Sequence, residues 1–194
     1  MVRRNKYNAQ KTKQQLLEIA LKLFAEKGYH ETTIDEICAE AGFTKGAFYN
    51  HFSSKSEVIL NVWKIFDEDI NLLLSLENST STKVKLVRLC RALFNNINDY
   101  AKSTTQVIYS LQINEKGNSL MLSNDRYLYR TVYHIVKDGI ENNEIRNDLE
   151  IEYMTDLILV MIRGIVFNWT LTDKETLGED DLNYFNTFLD SILN

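Results

Sequence analysis

Apolar residues recur every three or four positions along most of the chain, the spacing that places them on one face of an α-helix. The first such face comprises Leu16, Ile19, Ala20, Leu23 and Phe24. Gly28 follows it, and a glycine at a helix end readily adopts the left-handed conformation that terminates the helix. The sequence lacks the strict alternation of apolar and polar residues that is typical of strands. The pattern therefore predicts an all-α chain whose first helix ends near Gly28.

Two short helices are predicted next, each with a capping residue at its start. Thr33 and Glu36 have the spacing of a capping box, and the helix that they begin ends just before Gly42. Gly42 suits a tight turn. Thr44 can then cap a third helix that runs to about His51. Together with the first helix, these elements predict a small three-helix head.

A long helix is predicted from the capping pair Ser54 and Glu57 to about Leu76, and it connects the head to the rest of the chain. The later helical segments are Val84–Tyr100, Thr104–Ile113, Ser119–Asn142, Ile151–Leu171 and Asp180–Leu193. The chain has no proline and only 7 glycines, which favours helices throughout. We therefore expect a head over residues 1–53 and a helical body over residues 54–194.

The stretch 33–55, TIDEICAEAGFTKGAFYNHFSSK, has the pattern of a helix-turn-helix. In this motif a short second helix follows a turn of about three residues and enters the major groove. Cys38 is the small residue needed where the two helices touch, and Phe48 and Phe52 point into the core. The remaining face of the second helix carries Lys45, Gly46, Ala47 and Tyr49. Its small residues allow the backbone to approach base edges, so the motif predicts DNA binding.

The charge distribution agrees with a DNA-binding head, although the net charge of -5 at first argues against nucleic acid. Residues 1–60 contain nine Lys and Arg against seven Asp and Glu, so the acidic excess lies in residues 61–194. No acidic residue precedes Glu18, whereas five basic residues do. This basic arm comprises Arg3, Arg4, Lys6, Lys11 and Lys13. A basic arm before this motif favours contact with the DNA backbone over a merely solubilising role.

Residues 16–55 resemble the TetR family of transcriptional repressors. The resemblance lies in LFAEKGY at the end of the first helix, then TTIDEICAEAGFTKGAFYNHF, then SSKSEVI. Further along, ENNEIRND precedes an apolar helix that contains IRGIVFNW, in the order that the family shows. Cys38 stands where the family usually has alanine, and Asn143 where it often has glycine. The resemblance implies an all-α fold with a DNA-binding head and a C-terminal bundle for ligand binding and dimerisation.

The resemblance also implies roles for individual residues of the head. Thr33, Tyr49, His51 and Lys55 would contact phosphates, and Thr44 would cap the recognition helix and touch a phosphate. Lys45 and Ala47 would face base edges, where lysine can bind guanine and an alanine methyl can pack against thymine. The alternative for Lys45 and His51 is that both are solvated surface residues. His30 has no partner pattern and is expected to be a plain surface residue.

Other function classes find little support in the sequence. His30, His51 and His134 are scattered, and Cys38 and Cys90 have no nearby cysteine and suit core positions. The chain has no phosphate-binding glycine loop and no GxSxG motif. We therefore expect no catalytic residue, cofactor or metal. An architectural DNA-binding protein without an effector is the main alternative, and a helical enzyme is a remote one.

The body is rich in aromatic residues and methionines, and the family resemblance implies that it binds a small effector. An apolar pocket with a few polar groups is typical of such sites. The candidate ligand-binding residues are Tyr100, Tyr109, Met121, Tyr127, Met154 and Met161. The alternative is that these side chains only pack the core. The sequence does not identify the effector beyond an apolar or aromatic small molecule.

The last two helices are predicted to form a homodimer interface. The segment Ile151–Leu171 is apolar on nearly every face, and Gly164 would let another helix approach closely. The candidate interface residues are Ile158, Ile162, Ile165, Trp169, Phe185, Phe188 and Leu189. Such a dimer would bind a palindromic double-stranded operator. The alternative is that both helices close the core of one chain.

No membrane contact is predicted, and the protein is expected to be cytoplasmic. The longest apolar stretch, Leu157–Trp169, is too short to cross a bilayer and contains Arg163.

In the predicted switch, ligand entry shifts the long helix 56–76, whose Trp63, Phe66, Ile70 and Leu73 face the body. The shift would move the two recognition helices out of register with the major grooves.

Overall fold

The computed structural model describes residues 2–59, 61, 81–100, 102–114 and 120–194. Within these residues the chain forms α-helices and no β-strand, so the all-α prediction is confirmed. The helices are α1 (Val2–Lys27), α2 (Ile34–Ala41), α3 (Lys45–Tyr49), α4 (Thr82–Asn98), α5 (Lys102–Asn114), α6 (Tyr127–Glu141), α7 (Ile151–Thr170) and α8 (Glu179–Ile192). A 3-10 turn spans Leu120–Leu122, and residues 55–59 are also helical.

The predicted connecting helix falls largely on residues that the structure does not describe. Residues 55–59 and 61 are helical, as expected for its start. Its later residues Trp63, Phe66, Ile70, Leu73 and Leu76 lie outside the described residues. Val58 and Ile59 are fully buried, so the first turn of this segment packs into the core.

The head is built around the buried face of α1. Helix α2 packs on α1, and α3 packs on α2. The largest fully buried side chains of the head are Phe24, Phe48, Phe52, Leu16 and Ile37. Helix α1 begins at Val2, so the backbone of the basic arm is helical rather than a tail. The first residues of α1 include no glycine or proline, which allows the helix to begin as early as Val2.

The body is a bundle of α4 to α8. Helix α7 packs against α5, α6 and α8, and α4 packs against α5, α6 and α8. Helix α1 of the head packs against α5 of the body. The described chain therefore has a direct contact between head and body that does not depend on the connecting helix. No described helix has the length and apolarity required to cross a membrane.

The predicted helix Ser119–Asn142 is interrupted before its middle. Residues 123–126 form a turn in which the Arg126 N–H donates to the Ser123 carbonyl (3.2 Å) and the Asp125 N–H donates to the Ser123 hydroxyl (3.3 Å). These local bonds compete with helical ones, which is how serine residues end helices. Helix α6 then ends near Asn143, whose φ of 58° is the left-handed conformation expected for it.

The predicted dimer residues occupy the core of a single chain instead of an open surface. Ile158, Ile162, Ile165, Trp169, Phe185 and Leu189 are all buried, and Phe188 is partly buried against the same core. Burial within one chain favours the alternative that these side chains close the core of a single chain, and their role in a dimer interface stays a prediction. The opposite face of α7 is exposed. It carries Tyr153, Val160, Gly164 and Phe167, and Leu171 follows directly after the helix.

Candidate nucleic-acid interface and body cavity

Helix α2 is fixed at its start by a capping box and at its end by a left-handed glycine that begins the tight turn to α3. The Thr33 N–H donates to Glu36 Oε2 (2.8 Å), and the Glu36 N–H donates to Thr33 Oγ1 (3.2 Å), which completes the predicted capping box. The Thr33 N–H, the Lys27 ammonium and the Thr33 hydroxyl lower the pKa of Glu36 to about 2. Gly42 ends α2 with a φ of 71°, which a residue with a Cβ adopts only with strain.

Helix α3 presents one face to the core and the other to solvent. Thr44 Oγ1 accepts the N–H of Ala47 (3.2 Å), so Thr44 caps the helix as expected. Phe48 is fully buried and lies 5.4 Å from the ring of Phe52, which confirms that both phenylalanines belong to the core. Tyr49, the next residue, is 54% exposed. The core contacts therefore hold α3 firmly while its other side stays open.

The exposed side of α3 gathers most of the predicted DNA contacts. Lys45, Gly46 and Tyr49 are exposed, as are the capping residues Thr33 and Thr44, and Ala47 and His51 are partly exposed. A Cβ on Gly46 would meet only the Thr44 hydroxyl, at 3.7 Å. Packing within this chain therefore does not require glycine at position 46, which leaves close approach of another molecule as its predicted role.

Lys45 forms an ion pair that sequence reasoning missed. Its Nζ lies 2.8 Å from Asp35 Oδ2, and both side chains are more than half exposed. The hydrogen bond to Asp35 raises the pKa of Lys45. The two residues lie on different helices, so no helical spacing in the sequence could have indicated the pair. Lys45 is thus held across the turn between α2 and α3 rather than freely solvated.

Lys55 has a structural contact that the family resemblance does not imply. Its ammonium donates to the carbonyl oxygens of Tyr29 (2.6 Å) and Thr32 (2.8 Å) and lies 4.2 Å from the centre of the Tyr29 ring. Burial lowers the pKa of Lys55. These bonds tie the loop after α1 to the helical segment 55–59. Two of the three ammonium N–H groups are therefore used inside the head, and its phosphate contact stays a prediction.

Of the basic arm, the structure describes the side chains of Lys11 and Lys13. Lys13 lies 5.6 Å from the centre of the Phe52 ring, so it contacts the head core at its edge. The side chains of Arg3, Arg4 and Lys6 lie outside the described residues. Their backbone forms the first turns of α1.

The body encloses a narrow cavity between α4, α5, α6 and α7, with a free volume of about 40 Å³. That space suits about three water molecules. Its apolar wall comprises Leu93, Ile97, Leu128, Leu159, Ile162 and Val166. Tyr109 and Met121 line it, as the sequence predicted. Met154 is fully buried in the core, and Tyr100, Tyr127 and Met161 pack beside the core and do not line this cavity, so their ligand contacts stay predictions.

Two arginines line the cavity and were missed as site residues. Arg163 Nη1 donates to the Met121 carbonyl (3.0 Å), and the Tyr109 hydroxyl donates to the Arg163 carbonyl (2.9 Å). Burial raises the pKa of Tyr109 and lowers the pKa of Arg163. Arg126 lines the same cavity. For Arg163 the sequence did contain a signal, a single charge in an apolar stretch. That charge was taken only as an argument that the stretch does not cross a membrane.

The described residues contain no cluster of three or more His, Cys, Asp or Glu side chains that could hold a metal ion. Cys38 and Cys90 are buried free thiols. Burial raises the pKa of both, so neither is a reactive thiolate.

Comparison with known proteins identifies the head. Residues 16–62 match the model of the bacterial regulatory proteins, tetR family. The HTH-type transcriptional regulator AcrR of Shigella flexneri is 40% identical over 70 residues, which cover 36% of this chain and 33% of that protein. The HTH-type transcriptional regulator SrpR of Pseudomonas putida is 23% identical over 172 residues, which cover 86% of this chain and 79% of that protein. The matched segment thus spans about a third of the Shigella regulator.

The body resembles solved structures as well. A crystal structure from Syntrophomonas wolfei, of a protein assigned to the same family, superposes with a TM-score of 0.74 and 21% identity over 94% of each chain. At this identity the likeness concerns the fold alone. It extends from the head through the helical body.

Proposed function

The chain belongs to the TetR family of bacterial regulatory proteins, and on this premise we propose that it is a transcriptional repressor. It binds a palindromic operator as a homodimer, and a small molecule in the body cavity releases it. The observation that carries the proposal is the open face of α3, which is capped at Thr44 and anchored by Phe48. Helices held in this way enter the major groove in helix-turn-helix proteins.

Each predicted DNA-contact residue of the head has a physical role in this proposal. Lys45 exchanges its ion pair with Asp35 for guanine acceptors, and the methyl of Ala47 packs against thymine. Gly46 allows the backbone to approach the groove. Thr33, Thr44, Tyr49 and His51 fix the register on phosphates, which carry no sequence information. The third N–H of Lys55 is available to a phosphate.

The DNA-binding proposal is tested with operators selected from random-sequence DNA. Such selection is expected to return a palindrome, because a two-fold dimer binds two equal half-sites. Lys45→Ala is expected to reduce discrimination at one base pair per half-site by roughly 10- to 100-fold. Lys22→Ala is the matched control, since Lys22 is also an exposed lysine paired with a carboxylate, Glu40, at 3.4 Å. If Lys45→Ala weakens cognate and scrambled DNA equally, Lys45 does not read a base.

We place the proposed homodimer interface on the exposed face of α7, because the residues first expected there are buried within one chain. The exposed face carries Val160, Gly164, Phe167 and Leu171 at intervals of three or four residues, and Tyr153 two helical turns before Val160. A Cβ on Gly164 would meet nothing within 4 Å, which leaves a shallow gap for another helix. An exposed apolar stripe of this kind is unusual in a monomer. Helix α8 packs beside α7, so two copies can form a four-helix interface about a two-fold axis.

A groove between α5 and α7 extends the same apolar surface. It has a free volume of about 300 Å³ and is lined by Ile113, Phe167 and Leu171, among others.

Val160→Arg is expected to convert the dimer into a monomer and to abolish operator binding at nanomolar protein. Leu122→Arg is the control, because Leu122 is similarly exposed but lies outside the stripe. Light scattering measures the mass; a Val160→Arg protein that stays dimeric refutes this interface.

The effector part of the proposal is supported by the cavity itself. Its wall is apolar and its few polar groups come from three different elements, which is the usual design of a small-molecule site. An architectural DNA-binding protein would not need it. A thermal-shift screen followed by operator release measures whether any cavity ligand acts as an inducer. If every cavity ligand leaves operator affinity unchanged, the architectural alternative is correct.

A further inference from the structure

The groove between α5 and α7 is open to solvent and has an apolar and a polar part. Ile113 and Leu171, which are 73% and 72% exposed, line it together with Phe167. Gln106 lies two helical turns before Ile113 on α5, and its side-chain N–H donates to the Thr170 carbonyl (2.9 Å). Among the described residues nothing donates to the side-chain oxygen of Gln106. An occupant of this groove therefore needs an apolar body and a hydrogen-bond donor.

Tyr153, near the start of α7, has both properties and is not covered by its own chain. Its side chain is 56% exposed. In the described part of the chain its hydroxyl has no hydrogen-bond partner. Tyrosine is enriched at protein interfaces because its ring is apolar while its hydroxyl takes a polar partner. Tyr153 and Leu171 are about five helical turns apart, roughly 27 Å, so Tyr153 does not reach the groove of its own chain.

A two-fold axis through the middle of the exposed face of α7 brings the two ends of that face together. In two antiparallel helices related by such an axis, residues equally far from it on opposite sides meet each other. Val160 and Gly164 lie symmetrically about the midpoint between Tyr153 and Leu171. One register therefore places Val160 over the open space at the partner's Gly164 and Tyr153 beside the partner's Leu171.

We propose that Tyr153 of each protomer enters the groove of the other protomer. Its ring lies against the partner's Ile113 and the partner's Phe167, and its hydroxyl donates to the side-chain oxygen of the partner's Gln106. This inference rests on the proposed function, because it specifies how the homodimer on this face is built. Tyr109 lines both the groove and the enclosed cavity, and its ring lies 5.5 Å from that of Phe167. Each protomer thus contributes a residue to the wall of the other protomer's cavity.

The first test is a double-mutant cycle across the interface. Tyr153→Arg and Leu171→Glu are each expected to weaken the dimer of the full-length protein by about 30-fold or more, since each places a charge in an apolar contact. The double variant is expected to regain about 10-fold or more, because the introduced guanidinium and carboxylate then pair. The two positions are too far apart within one chain to compensate each other, so a rescue comes only from the partner.

The matched control combines Tyr153→Arg with Leu122→Glu. Leu122 is 65% exposed but lies outside the α7 stripe, so no rescue is expected from this pair. Sedimentation equilibrium measures the dissociation constant of each dimer. All three positions are exposed, so each chain is expected to stay folded, and circular dichroism checks this.

The second test concerns the hydroxyl. Tyr153→Phe is expected to weaken the dimer by about 5- to 150-fold, because it removes two hydrogen bonds, one in each groove. In the Gln106→Leu background the same change is expected to have no further effect. An equal loss in both backgrounds would assign the hydroxyl to another partner and overturn the contact with Gln106.

The outcomes separate this inference from the proposed function. If Val160→Arg dissociates the dimer but Tyr153→Arg and Leu171→Glu act additively, the interface on α7 stands and this register is overturned. If the wild-type protein is a monomer at micromolar concentration, both are overturned. A rescue by the double variant, with none in the control, supports the inference. Should the rescued dimer and the wild type both fail to bind any selected operator, the repressor proposal is refuted while the groove contact stands.

Discussion

Asp35 holds the ammonium group that we expect to reach the base edges. The distance between Lys45 Nζ and Asp35 Oδ2 is 2.8 Å, and both groups are exposed. An exposed ion pair adds little to stability, so Lys45 can exchange this partner for DNA at small cost. In a complex with DNA we expect the carboxylate that remains on α2 to lie near the phosphates and to repel them. Asp35 is therefore expected to oppose DNA binding in two ways, by competing for Lys45 and by its own charge.

Asp35→Asn is expected to strengthen binding to DNA of any sequence by about 3- to 30-fold for a dimer. In the Lys45→Ala background the gain is expected to be smaller, because the competition for Lys45 is gone; a double-mutant cycle in gel shifts measures the difference. Glu40→Gln is the control, since Glu40 is paired with an exposed lysine away from α3. Weaker binding of cognate DNA by Asp35→Asn would instead mean that Asp35 positions Lys45 for reading.

Lys55 combines a structural role with its expected phosphate contact, and the two can be separated. Lys55→Met leaves the carbonyls of Tyr29 and Thr32 without their donor and is expected to cost about 1–3 kcal/mol of stability. Urea unfolding measures this loss against Lys22→Met. The salt dependence of DNA binding measures the other role. If its slope falls by about one unit for each site lost, Lys55 contacts a phosphate; an unchanged slope leaves only the structural role.

At the scale of the helices, close packing of α6 against α4 depends on Gly139. A Cβ at this position would lie 2.8 Å from Thr82 Oγ1 and 2.9 Å from Ile145 Cδ1. Thr82 is buried, and its N–H is bound by the Glu144 carboxylate, so it cannot move away freely. Gly139 therefore lets the start of α4 and the segment after α6 meet.

Gly139→Ala is expected to destabilise the protein by about 1–3 kcal/mol through overpacking. The usual effect of such a change in a helix is a gain of up to about 1 kcal/mol, so the sign distinguishes packing from helix propensity. Gly164→Ala is the control, because it also lies inside a helix but has open space around it. Both are compared by thermal unfolding in the Val160→Arg background, where dimerisation is removed. Equal stabilisation by both changes would contradict the packing argument.

Sequence patterns located these helices well where the signal is local. The capping residues Thr33 and Thr44 and the left-handed Gly42 and Asn143 depend on side chains within about four positions, and all four hold in the structure. The orientation of α7 could not be predicted in this way. Helix α7 is apolar on nearly every side, so periodicity could not distinguish the face on its own core from the exposed one.

The candidate sites, like the helices, could be predicted where they depend on residues close in sequence and not where they depend on long-range packing. The exposed face of α3 could be predicted because a single short helix supplies it. The cavity draws its lining from four helices and the turn at Leu120–Leu122, and its arrangement depends on long-range packing. Of the aromatic and methionine candidates, only Tyr109 and Met121 line it. The pair Lys45 and Asp35 was missed for the same reason, since two helices must be placed before the contact exists.

At the scale of the whole molecule, the cavity and the head are connected through α5. Tyr109 on this helix lines the cavity and donates to the Arg163 carbonyl on α7 (2.9 Å). Arg163 in turn donates to the Met121 carbonyl. Helix α5 also packs against α1, the helix on which the head is built. A ligand that displaces Tyr109 is therefore expected to act on the helix that contacts the head, in addition to any movement of the predicted helix 54–76.

A ligand can release DNA only by its different affinity for the two arrangements of the dimer. Coupling of this kind is typically about 5- to 150-fold per site, and it is reciprocal, so operator DNA must weaken ligand binding by the same factor. Calorimetric titration of a cavity ligand into free and operator-bound dimer measures both affinities.

Tyr109→Phe keeps the ring in the cavity but removes the bond from α5 to α7. It is therefore expected to bind the ligand and to show a smaller difference between the two titrations. Identical affinities for free and operator-bound wild-type dimer would mean that the ligand is not the inducer. An undiminished difference in Tyr109→Phe would mean that the signal reaches the head by a route other than this hydrogen bond.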